Sequence, residues 1–225
     1  MSVETIAVGA ESVYRPQYDS WLLIEALERS NAVAGRRVVD LCTGSGVVAI
    51  AAAELGAREV TALDISPGAV CSTQANALAA QVDVEVVLGS WSQAQEHGPF
   101  DVVVCNPPYV PVGPETSVGE VASTGPMVSW NGGPDGRSVL DPLCRSAAAM
   151  LAEGGSLFLV QSEFADIEQS LASLRMSGMD AKVVADQRIP FGPVLHAQMR
   201  WLRDSGRLRH GRVEEQLVVI RADKL

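Results

Sequence analysis

Short β-branched runs alternate along this chain with alanine- and leucine-rich stretches whose apolar positions recur at helical spacing. Residues 37–41 predict a first strand, and residues 47–55 a helix closed by Gly56. Residues 60–63 predict a second strand. Ser66-Pro67 then sets a serine cap before a proline at the first helical position, opening a helix to about Ala80. Residues 82–88 and 100–105 predict a third and a fourth strand, and 139–151 a helix. Gly154-Gly155 turns that helix into a fifth strand at 156–160. Residues 163–176 predict a helix, and 181–185 and 216–220 the last strands. Near the N-terminus, residues 20–29 form an amphipathic helix with Asp19 or Ser20 as its cap. This alternation predicts an α/β fold: a mostly parallel sheet with helices on both faces. Ligands in such sheets bind beyond the strands' C-terminal ends, near the point where strand order reverses.

Two segments break the alternation. Residues 109–137 are rich in Gly, Pro and Ser without clear periodicity, and a loop of that length in a compact domain is expected to be functional or disordered. Residues 190–215 add a helix and a basic stretch before the last strand. The first ten or so residues are expected to be mobile. A length of 225 residues suits one domain spanning 1–225.

Composition narrows the function classes. The chain is 47% hydrophobic and 20% charged, with a net charge of −10. An acidic surface repels phosphate backbones, which counts against nucleic-acid binding. The local group Arg200, Arg203, Arg207, Arg209 and Arg212 reads as a solvated helix and turn. Cys42, Cys71, Cys105 and Cys144 are widely spaced, which argues against a zinc site and a disulfide scaffold, and no metal is expected. There is no signal-peptide pattern and no apolar stretch approaching a membrane span, so a cytoplasmic protein is expected.

The candidate chemistry gathers at strand ends. Asn106-Pro107-Pro108-Tyr109 follows the fourth strand as a rigid polar notch. The prolines fix the local backbone, Asn106 offers an amide acceptor and Tyr109 a flat face. Such a notch suits a planar NH2 group. The first strand ends in Asp40 and runs into Thr43-Gly44-Ser45-Gly46, a glycine turn opening a helix that also fits a dinucleotide fingerprint. The second strand ends in Asp64, where an acid can bond a ribose diol. Asp40 would repel a pyrophosphate and attract a cation. That favours S-adenosylmethionine, which carries an ammonium and a sulfonium, over a dinucleotide.

These motifs, with residues 13–23 and the Gly-Gly segment from Trp130 to Arg137, resemble the class I S-adenosylmethionine-dependent methyltransferases with a Rossmann-like seven-stranded sheet and an antiparallel last strand. Within them the chain is similar to the HemK/PrmC family of protein-glutamine methyltransferases, in the short archaeal and eukaryotic form without a separate N-terminal substrate domain. The resemblance implies that Asp40 binds the methionine ammonium region, that Gly44 and Gly46 line it with Thr43, and that Ser20 covers it. It implies that Asp64 holds the ribose hydroxyls. Ser90 stands where the family usually has an acid for the adenine amine, and Trp91 beside it would pack against the ring. Asn106 and the Pro107 carbonyl would accept both N–H bonds of the substrate amide, with Tyr109 against its plane, and S-adenosylhomocysteine would be the product. None of His97, His196 and His210 lies in a motif, so no general base is expected. The implied acceptor is the glutamine of a Gly-Gly-Gln loop in a translation release factor. A nucleobase amine, a small metabolite, and a cofactor-binding subunit without activity remain open. The implied partner is a small zinc-binding activator on the third-strand edge, with a homodimer through that edge as the other reading.

Overall fold

The computed structural model describes residues 13–114 and 125–225. The expectation for the first ten residues lies outside these.

Helix α1 (Tyr18–Ser30) leads into β1 (Arg37–Leu41), α2 (Val47–Glu54), β2 (Glu59–Asp64), α3 (Pro67–Ala80) and β3 (Glu85–Leu88). A 3-10 turn (Trp91–Gln93), α4 (Ala94–His97) and β4 (Phe100–Cys105) follow. The chain closes with α5 (Leu140–Met150), β5 (Leu151–Ser162), α6 (Ile167–Met176), β6 (Met179–Pro190), α7 (Pro193–Asp204) and β7 (Glu214–Lys224). The strands make one seven-stranded sheet of order β3-β2-β1-β4-β5-β7-β6. β3, β2, β1, β4 and β5 run parallel, whereas β7 is antiparallel to both β5 and β6. β1 and β4 are buried along nearly their whole length, because helices cover both faces there. Strand order reverses between β1 and β4, so Asp40 and Asn106 emerge side by side at the sheet's C-terminal edge. No helix among the described residues is long and apolar enough to cross a membrane.

Several boundaries move for local reasons. α1 begins at Tyr18 after Gln17, so Asp19 and Ser20 are first-turn residues and not the cap. Ser66 caps α3 as expected, accepting from the Ala69 N–H at 3.4 Å. β3 holds four residues only, because Gln81 closes α3 in a left-handed conformation and Val82 N–H still bonds back to Ala77 O. β5 starts at Leu151, five residues before its expected start. It pairs with Phe100, then loops out through Gly154 and rejoins at Ser156, opposite Val102. The expected helix at 163–176 is broken at Asp166, which takes φ 56° and caps α6 through the Gln169 N–H at 3.0 Å. β6 and β7 are far longer than expected because they pair with each other from Met179↔Lys224 to Pro190↔Glu214. The sequence reading placed no element at residues 91–97. Ser90 and Gln93 form a reciprocal capping box there, whose spacing is visible in the sequence.

The described parts of the expected long loop pair with each other. Val110 bridges Asn131, with Val110 N–H on Trp130 O at 3.0 Å and Gly132 N–H on Val110 O at 2.9 Å. Buried Arg137 anchors its far end, bonding Asp141 at 2.7 Å, Asp166 O at 2.8 Å and Ser170 at 3.1 Å, together with Ala165 O.

Candidate active site

A cavity of about 840 Å³ opens beyond the ends of β1, β2 and β4. Ser20, Asp40, Thr43, Gly44, Asp64, Ser90, Trp91, Asn106, Pro107 and Tyr109 all line it. Gly46 does not. It takes φ +83° at the start of α2, and a Cβ there would stand 2.7 Å from Thr73 Cγ2. Its place in the chain is set by helix packing and turn geometry, not by facing the cavity.

The end of β1 buries Asp40. Its Oδ2 accepts from Thr43 Oγ at 2.6 Å and from Ala49 N–H at 3.1 Å, leaving Oδ1 without a donor among the described residues. Burial pushes this carboxyl up to about 7, against those two hydrogen bonds and helped by nearby Asp64. Asp64 ties the glycine turn to the sheet: Oδ2 accepts from Gly44 N–H and Oδ1 from Ser66 N–H, each at 2.9 Å. Between them Cys42 takes φ 58°, a conformation rare for a side chain of any size, held by the strand on one side and the turn on the other. The Ser90 hydroxyl accepts from Ser92 N–H at 3.4 Å and from Ser92 Oγ at 3.1 Å. What it can still offer is its own O–H, which suits a ring nitrogen and not an amine.

At the other end the notch is arranged around α1. Asn106 Nδ2 donates to Ser20 Oγ at 3.4 Å, which turns its Oδ1 outward with no donor among the described residues. The Pro107 carbonyl also accepts no hydrogen bond among them. The Tyr109 hydroxyl donates to Asp19 Oδ2 at 2.9 Å, and the Tyr14 hydroxyl donates to the same oxygen at 2.8 Å. Asp19 Oδ1 takes the Ser20 N–H at 2.7 Å and its hydroxyl at 3.2 Å. Burial, reinforced by Asp19, holds both phenols well above their usual range, so they stay protonated and donate. Tyr109 is thus fixed by its hydroxyl while its ring lines the cavity.

Tyr14, Asp19 and Glu215 were not singled out from the sequence. For Asp19 the signal was ambiguous, since an acid beside a helix start reads as a cap. For Glu215 a signal was present. It alternates with Leu217 and Val219 at period two, which places an acid in phase with buried residues. Asp19, Asp40, Asp64 and Glu215 line the cavity, and no Lys, Arg or His among the described residues does. A concave, partly desolvated wall of that sign attracts a cation and rejects a phosphate. The open Oδ1 of buried Asp40 and the cavity-lining Gly44 and Ser45 of the glycine turn fit a cationic donor such as S-adenosylmethionine.

Comparison with known proteins bears on these features. Residues 20–107 match the family model for ribosomal protein L11 methyltransferase. The chain is 37% identical over 175 residues to a release factor glutamine methyltransferase of Deinococcus radiodurans, covering 77% of this chain and 62% of that protein's length. A Methanocaldococcus jannaschii protein named for N5-glutamine methylation is 30% identical over 179 residues, covering 80% of this chain and 87% of that protein. Among solved structures, the Mtq2–Trm112 complex of E. cuniculi, described as responsible for methylating the eRF1 translation termination factor, superposes with a TM-score of 0.63. It is 24% identical and covers 95% of this chain and 99% of that one.

Proposed function

The chain belongs to the HemK/release factor glutamine methyltransferase family, and on that premise we propose that it methylates the side-chain amide of a glutamine in a translation release factor. The observation that carries the reading is the pair of open acceptors at the notch. Asn106, turned by Ser20, leaves its Oδ1 open, the carbonyl of the next residue, Pro107, is open too, and neither has a donor among the described residues. Two open acceptors on adjacent residues suit the two N–H bonds of one planar NH2 group.

S-adenosylmethionine supplies, when bound, an electrophilic methyl group on a sulfonium. Asp40 Oδ1 would hold its ammonium, the Gly44 backbone would lie along it, and Asp64 would take the ribose hydroxyls alongside the bonds it already makes. Asn106 and Pro107 aim the substrate nitrogen and so supply catalysis by positioning. As the N–C bond formed and the methyl–sulfur bond broke, with S-adenosylhomocysteine as the leaving group, positive charge would grow on that nitrogen, its N–H bonds would polarise, and both acceptors would bind it more strongly than in the ground state. Tyr109, locked by Asp19, limits the tilt of the amide plane. The amide nitrogen gives up one proton to solvent after transfer.

Labelled methyl transfer to release factor, with Asn106→Ala as the probe, tests the reading. Turnover is expected to fall by at least about 100-fold while cofactor affinity stays within about threefold, because the lost acceptor acts mainly on developing charge. Near-normal turnover in this variant would overturn it.

The partner belongs to the same proposal. β3 is an edge strand of the sheet, with Leu88 57% exposed on it and Leu78 80% exposed on α3 beside it. An open parallel edge flanked by exposed leucines is suited to pairing with a second chain. By analogy with the E. cuniculi complex, we assign this edge to a small activator subunit.

A further inference from the structure

The acceptor side of the cavity holds one buried carboxylate that the proposed mechanism does not use. Glu215 stands at the start of β7, in register with Ile189 of β6, and is 6% exposed. Together with Ile189 and Leu217 it forms part of the cavity wall. Its Oε2 accepts from Ser162 Oγ at 2.5 Å, while Oε1 takes no hydrogen bond among the described residues. Asp19 nearby has nothing left to offer, since its two oxygens already accept from Tyr14, Tyr109 and Ser20. Glu215 Oε1 is open to the cavity, and an incoming N–H would replace water there with a charge-assisted hydrogen bond. A peptide entering this cavity must in turn pair the main-chain N–H groups it buries.

We propose that Glu215 Oε1 accepts a main-chain N–H of the substrate peptide beside the target glutamine, forming a second anchor next to the Asn106 notch. This rests on the protein-glutamine reading and adds to it a site that senses the peptide backbone and not the amide. Ser162 fixes the carboxyl so that Oε1 is the oxygen offered. Its burial in the cavity wall strengthens a charged acceptor toward a neutral donor.

The anchor has a pH signature. Burial pushes Glu215 up to about 7, opposed by the Ser162 hydrogen bond, raised further by Asp19 and Glu163, and lowered by Arg212. These groups reach it from α1, from the turn after β5 and from the turn before β7. Tyr14 and Tyr109 also lie within electrostatic reach, and both stay neutral. Arg212 is engaged with Glu163 at 2.5 Å. The ionised form is the better acceptor, so peptide affinity rises as pH climbs through about 7.

The experiment measures binding of a short neutral peptide carrying Gly-Gly-Gln to the S-adenosylhomocysteine-loaded protein between pH 6 and 8. At pH 8, Glu215→Gln is expected to weaken the peptide about tenfold, the effect of replacing a charged hydrogen bond by a neutral one, with cofactor-product affinity within about twofold. The wild-type affinity rises across the range and the variant's stays flat. Ser162→Ala keeps the open oxygen but removes a bond that lowers the acid's pKa, so its midpoint moves upward; this variant decides the matter if Glu215→Gln does not fold. Unchanged affinity and an unchanged pH profile in these variants, or no peptide binding by the wild type, overturns the anchor. Pattern-conforming binding without methyl transfer upholds the anchor and removes the glutamine reading. Methyl transfer with unaltered binding in the variants does the reverse.

Discussion

Asp40 shows how one residue can be readable in kind and still altered by its surroundings. Its position after an apolar strand and before glycines marks it in the sequence as a partner for a cation. Its burial and the pull of its neighbours on its proton come from the fold. Because burial raises it to about 7, it is largely protonated below that pH and charged above it. A bound cation favours the charged form, so S-adenosylmethionine affinity is expected to fall as pH drops from 8 to 6, by up to about tenfold per pH unit below the midpoint. Asp40→Asn should bind weakly and with no such slope; calorimetry at several pH values checks this. Tyr109 carries a second residue-level expectation. Tyr109→Phe removes one donor from Asp19 and should cost about 1–2 kcal/mol in urea unfolding. Asp19→Ala strands the buried Tyr109 hydroxyl and the half-buried Tyr14 hydroxyl and should cost more.

At the level of elements, the turn from β1 into α2 concentrates the constraints. Gly46 has a left-handed backbone and sits against Thr73 of α3, so Gly46→Ala combines strain with a clash. A loss of about 2–4 kcal/mol is expected, lowering Tm by roughly 5–15 °C for a chain of this size. Gly154 has a similar φ of +73° but nothing within 4 Å of an added Cβ. Gly154→Ala should therefore cost only about 1 kcal/mol, and differential scanning calorimetry of the two variants separates strain from clash. The same turn was legible in the sequence because glycine spacing is a local signal, as is the serine cap of the next helix, α3. The split of the helix at Asp166 was not, because it depends on Glu163 turning to Arg212 and to Gln216 N–H across the sheet.

For the whole molecule, charge and edges set the partners. The chain carries −10 overall, and the cavity is lined by four acids, Asp19, Asp40, Asp64 and Glu215. Both features disfavour a phosphate backbone as acceptor. The β3 edge is expected to bind a small activator, so Leu88→Lys should abolish that association in analytical ultracentrifugation while leaving the circular dichroism spectrum unchanged. Retained association would place the contact elsewhere.

The sequence by itself determined the order of elements, the glycine turn, the caps and the notch, because each is a pattern of neighbours along the chain whose chemistry is local. It also pointed to a cationic donor and a planar NH2 group as the ligands suited to the two ends of one site. Only the tertiary structure decided that Asp19 serves Tyr109 and Tyr14 instead of capping a helix, that Gly46 faces Thr73 and not the cavity, and that Ser90 spends its lone pairs on a turn. It alone brought Glu215 from the last strand to the acceptor side. Those outcomes depend on which groups meet across the sheet, and burial and hydrogen-bond partners are set by contacts between residues far apart in sequence.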